Sequence, residues 1–254
     1  MLRRLRPSGD SGTMILSHKH KFIFVKTEKT AGTSFEIALS KFCGPEDVIT
    51  PIAVEDEEIR KKLGYRSPQN FHMSLGIFSR QSKTKILADL IKMYQTKKIP
   101  KRFWNHITAS EIRESIGSDI WDNYTKFTII RDPVDQTISN FIWVRNRFPK
   151  NDDLHNISAY IRTRPARLRN NWNIISHKGE FILDDVIRYE NLHADADFIA
   201  KKIGLPEALS KTLSNITSKG QYRYQKKNPD EIVGPDDIRV IRYLRKEEIE
   251  FFGY

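Results

Sequence analysis

Twice along the chain a short unbroken apolar run gives way to a helical pattern with little between them. Phe22-Ile-Phe-Val25 is the first run; its length and lack of alternation predict a strand covered on both faces. After Ser34 the apolar residues Phe35, Ala38, Leu39 and Phe42 recur at i, i+3, i+4 and i+7, the period of a helix with one face turned inward. Thr128 to Ile130 closes the second run, and Val134, Ile138, Phe141 and Ile142 then follow helical spacing. Asp132 suits the N-cap of that helix and Pro133 its first position. Further helices are predicted around Ile86–Tyr94, after the capping box Thr108-x-x-Glu111 up to Gly117, from Asp195 to Ile203 before Gly204, and from Asp236 to Phe252. The stretch 148–177, holding Trp172 and several arginines, reads as a helical insertion between strands.

The first junction, Lys26 to Ser34, has the composition of a loop that wraps an anionic phosphate at a helix start. Gly32 permits close backbone approach, Thr30, Thr33 and Ser34 supply hydroxyls, and Lys29 supplies a mobile charge. A basic turn with a Ser/Thr cap fits the same spacing. It is not a Walker A loop, because its lysine precedes the glycine. At the second junction Arg131 ends the strand, and Ser139 lies about two turns into the helix. An arginine there suits phosphate, since its rigid fork makes paired charge-assisted bonds. An Asp-Pro helix start beside an ordinary capping arginine is the plainer alternative.

Lys29-Thr-Ala-Gly-Thr-Ser34 resembles the 5′-phosphosulfate loop of sulfotransferases that use 3′-phosphoadenosine 5′-phosphosulfate (PAPS), in the carbohydrate branch that includes the heparan and chondroitin enzymes. Arg131-Asp-Pro with Ser139 is similar to that family's 3′-phosphate site. The segments Asn105–Arg113 and Ile120–Thr128, Ile187-Arg-Tyr-Glu-Asn-Leu192 and Phe251-Phe-Gly-Tyr254 also resemble stretches of the family, and Ser218-Lys219-Gly220 resembles the segment that closes over the nucleotide. Glu28 departs from the pattern, standing where proline is frequent. The resemblance implies an α/β, P-loop-like parallel sheet flanked by helices. It also implies sulfuryl transfer from PAPS, as co-substrate, to a hydroxyl of a carbohydrate or glycan. Residues Lys29, Thr30, Ala31, Gly32, Thr33 and Ser34 would hold the 5′ end, Arg131 and Ser139 the 3′-phosphate, and Lys219 and Gly220 the covering segment. Lys29 would relieve charge on the leaving phosphate. For the base the reading favours His106, because the helix start at Thr108 disfavours the imidazolium and leaves a neutral ring; His72 is the rival.

Composition adjusts this reading only at its edges. A chain of 254 residues with 39% hydrophobic content suffices for one α/β core, placed at 15–254 behind a disordered tail at 1–14. The tail has arginines but no apolar core of a secretion signal, and no run of about eighteen apolar residues suggests an anchor of the kind carried by eukaryotic Golgi members. With Cys43 the sole cysteine, no internal disulfide forms, and the expected setting is the cytoplasm of a bacterium. A net charge of +11, with basic stretches at 162–169 and 219–227, the latter interleaved with Tyr222 and Tyr224, would suit nucleic acid. A nucleotide and an anionic glycan need the same field, and no zinc-finger, recognition-helix or ribonucleoprotein motif is present, so no nucleic-acid partner is expected. No metal is expected either, as neither histidines nor the cysteine show ligand spacing. A nucleotide-dependent kinase would bring a Walker-type loop and an acidic magnesium site. A non-catalytic protein that binds anionic polymers would show binding without turnover.

Overall fold

The computed structural model describes residues 14–72, 102–103, 107–148, 156–168, 170–216 and 232–254. Its sheet joins β1 (Met14–Ser17), β2 (Phe22–Val25), β3 (Val48–Ile49), β4 (Thr125–Ile130) and β7 (Asp185–Arg188) in the order β3-β1-β2-β4-β7. The two strands read from the sequence, β2 and β4, are adjacent and parallel, with Phe24 opposite Phe127, and β7 continues the parallel set. Only β1 runs against its neighbours, so the sheet is mostly parallel. A separate hairpin pairs β5 (Ser176–His177) with β6 (Glu180–Phe181).

Helices cover both faces, which explains why β2 is apolar throughout rather than alternating. Phe22 and Phe24 point to the side covered by α1 (Gly32–Ser40), while Ile23 and Val25 point to the other side with α3 (Ala109–Ile116). The remaining helices are α2 (Val54–Lys62), α4 (Ser118–Asn123), α5 (Pro133–Arg147), α6 (Ile157–Thr163), α7 (Pro165–Leu168), α8 (Asn170–Ile175), α9 (Leu192–Lys202), α10 (Leu209–Ser214), α11 (Pro235–Leu244) and α12 (Lys246–Phe252). Of these, α9 and α10 share the α1 side, and α8 shares the α3 side. A third apolar cluster forms beside the sheet, where Phe141 and Val144 of α5 meet Tyr160 and Ile161 of α6 and Ile241 of α11. The insertion expected at 148–177 is thus helical in α6, α7 and α8, but its last two residues, Ser176 and His177, form β5.

Several local predictions are realised in detail. Thr108 Oγ1 accepts from the Glu111 N–H at 3.2 Å while the Thr108 N–H donates to Glu111 Oε2 at 2.8 Å, a reciprocal capping box, and Gly117 ends α3 at φ 86°. The single helix expected from 236 to 252 is instead two, α11 and α12, broken at Arg245, whose φ of −114° and ψ of 17° leave the helical region. The break turns the Arg245 guanidinium inward, where it bonds Glu248 and Gln136. Met14, at the edge of the expected tail, opens β1 and is fully buried. The helix expected at 86–94 lies outside the described residues. No helix among the described residues is long and apolar enough to cross a membrane.

Candidate active site

Because β2 and β4 are parallel neighbours, their carboxyl ends deliver both sequence motifs to one edge of the sheet, the place where open α/β sheets bind ligands. The two motifs touch. Arg131 Nη1 donates to the carbonyl of Lys29 at 3.0 Å, across a gap of 102 residues. The same guanidinium donates through Nε to Asp135 Oδ2 at 2.6 Å and lies 4.1 Å from the ring centre of Tyr189, which follows β7. Salt bridge, carbonyl and aromatic face fix its plane at the end of β4.

The β2–α1 loop is tightly wound. Lys29 and Ala31 both adopt left-handed backbone, at φ 60° and 65°, although neither is glycine. Ala31 is the N-cap of α1, and no side chain caps that helix start. The Ser/Thr cap of the plainer sequence reading is therefore not what begins this helix. The Thr30 hydroxyl is buried and donates back to the Thr27 carbonyl at 3.3 Å, so it is turned into the loop itself. Thr33 and Ser34 are half-buried in the first turn, and the Lys29 ammonium stands 5.3 Å from the ring centre of Trp143 on α5. Ser139, on the same helix as Trp143, is half-buried.

Lys26 is a residue of this loop that sequence reasoning did not single out. Its ammonium, nearly inaccessible, donates to Glu36 Oε2 at 2.8 Å and to Thr33 Oγ1 at 3.0 Å. A hydroxyl that accepts from an ammonium must aim its own hydrogen elsewhere, so Lys26 leaves Thr33 free to donate to another group. The stem of Lys26 runs where a side chain at position 32 would stand: a Cβ on Gly32 would lie 2.6 Å from Lys26 Cγ. Glycine is required there by its own neighbour. The signal in the sequence was a lysine directly abutting an apolar run, which reads equally well as the run's polar boundary.

Of the other expected site residues, His106, Lys219 and Gly220 lie outside the described residues. His72 is described; its ring is exposed and stacks on Phe71 with centroids 4.1 Å apart. Burial pushes the Cys43 thiol far above its usual range, which removes it as a nucleophile. Among the described residues no three histidine, cysteine or acidic side chains converge as a metal site.

Comparison with known proteins gives the family. A family model described as "Sulfotransferase family" matches residues 12–254. An uncharacterized protein of the archaeon Archaeoglobus fulgidus is 30% identical over 126 residues, covering 44% of this chain and 93% of that protein. No solved structure matches the chain significantly.

Proposed function

The chain belongs to the sulfotransferase family, and from that premise we propose that it transfers a sulfuryl group from PAPS to a hydroxyl of a carbohydrate or glycan. The observation that carries the proposal is the 3.0 Å bond between Arg131 and the Lys29 carbonyl. It joins a 5′-phosphosulfate loop and a 3′-phosphate arginine within the span of one nucleotide, which supports a single ligand reaching both. In this reading the backbone of Thr30, Ala31 and Gly32 and the hydroxyls of Thr33 and Ser34 hold the 5′ end. Arg131 and Ser139 hold the 3′-phosphate, with Lys219 and Gly220 on the covering segment. Lys29 meets the charge that develops on the bridging oxygen as the sulfuryl group departs. His106 takes the proton of the acceptor hydroxyl, with His72 as the alternative base.

Calorimetric titration tests the donor. Adenosine 3′,5′-bisphosphate should bind far more tightly than adenosine 5′-phosphate, and Arg131→Ala should weaken the bisphosphate by at least about tenfold, the cost of one charge-assisted bond. Equal affinity for the two nucleotides removes the proposal. For the base, His106→Ala should slow transfer by about 10²–10⁴-fold with nucleotide affinity kept. If His72→Ala has that effect instead, the two histidines exchange roles.

A further inference from the structure

The peptide of Glu28 is held from outside its own loop by two side-chain amides. Asn171, on α8, accepts from the Glu28 N–H through Oδ1 at 2.8 Å and donates to the Glu28 carbonyl through Nδ2 at 3.1 Å, a two-point grip like a rung of a β-ladder. Gln136, on α5, donates to the same carbonyl through Nε2 at 2.6 Å, so both lone pairs of that oxygen are engaged. The other end of the Gln136 amide accepts from Arg245 Nη1. Arg245 in turn places Nε 2.8 Å and Nη2 2.5 Å from Glu248 Oε2. Asn171, Gln136, Arg245 and Glu248 are each at least 95% buried. This chain of bonds reaches Glu28 one residue before the first of the two left-handed, non-glycine positions, Lys29 and Ala31. Residues with a Cβ disfavour that conformation and keep it only where their surroundings impose it.

We infer that Asn171 and Gln136 are positioning residues that clamp the Glu28 peptide and so hold Lys29 and Ala31 in their donor-binding shape, with the Arg245–Glu248 pair fixing Gln136 in place. The benefit to binding is preorganisation: a loop already wound for its ligand loses less freedom when the ligand arrives. The clamp rests on the proposed donor for its ligand, though not for its effect on the loop. Arg245 lies at the break between α11 and α12, where its buried guanidinium meets both Gln136 and Glu248.

Two near-isosteric variants isolate the clamp. Gln136→Glu keeps the oxygen that Arg245 bonds, and Asn171→Asp keeps the oxygen that accepts from the Glu28 N–H, yet each sets an acceptor against the Glu28 carbonyl. In the ligand-free full chain, amide hydrogen exchange across residues 27–33 should quicken in both variants while α6 and α11 keep their protection. Affinity for adenosine 3′,5′-bisphosphate should fall about tenfold, and Ala31→Gly added to Gln136→Glu should restore part of it, because glycine enters the left-handed region without strain. Unchanged exchange in both variants overturns the clamp, whatever the nucleotide does. Failure of Ala31→Gly to recover any lost affinity overturns the positioning role as well. If exchange quickens but the wild-type chain ignores the bisphosphate, the clamp stands and the donor assignment falls.

Discussion

The two strand-to-helix junctions at the edge of the sheet are built on opposite plans. At β4–α5 the helix start is satisfied locally: Asp132 accepts from the N–H groups of Val134 and Asp135 at 2.9 and 2.8 Å, and Pro133 has no N–H to satisfy. At β2–α1 no side chain caps the helix, two residues are left-handed, and the conformation depends on Asn171, Gln136 and Arg131, all distant in sequence. The β4–α5 junction is a finished bracket that presents an arginine. The β2–α1 junction is held from behind, and its helix start has no side-chain cap.

The comparison can be broken most forcefully at Lys26. Lys26→Met leaves Glu36 buried without its countercharge, and denaturant unfolding should show a loss of about 3–5 kcal/mol. A loss no larger than that of an exposed ion pair would mean that the β2–α1 junction does not depend on its buried pair. Lys29→Ala comes next. Turnover at saturating donor should fall about 100-fold, with nucleotide affinity changing much less, because the charge acts as the leaving oxygen gains its own. Wild-type turnover in this variant would make Lys29 a holder of ground-state phosphate and nothing more. At the other junction Asp132→Ala removes a local cap and should cost only about 1 kcal/mol, read as a shift in the unfolding midpoint.

The smallest expected effect is a pH dependence inherited through Glu248. Burial raises its carboxyl above the ordinary 4.5, helped by the nearby charge of Asp132 and opposed by Arg245. A carboxyl raised in the folded state contributes stability that is fully present below about 4.5 and is lost as pH rises through its elevated value. The unfolding midpoint followed through that window should therefore show a decline that is missing from Glu248→Gln. Parallel profiles for the two proteins would show that the carboxyl titrates normally.

Much of this architecture follows from neighbours in the sequence. The Asp132-Pro133 start, the Thr108–Glu111 capping box and the ends at Gly117 and Gly204 involve atoms within four residues of one another, and each was legible because its chemistry is local. Lys29, Gly32, Thr33 and Arg131 were legible as a group because strands that feed directly into helices bring such residues to one edge of a parallel sheet. Asn171, Gln136 and Arg245 carried no such mark: a buried asparagine, a helical glutamine and an arginine in a charged helix look like many others until the fold puts the two amides on the Glu28 backbone and the arginine on one of them. Lys26 looked like the polar end of a strand, and its burial depends on Glu36 arriving one helical turn into α1. The sequence by itself determined β2 and β4, the starts of α3 and α5 and the basic, hydroxyl-rich loop, since these depend on periodicity and on bonds between near neighbours. Tertiary structure alone decided which distant amides support the loop, because hydrogen bonds across more than a hundred residues leave no period in the chain that makes them.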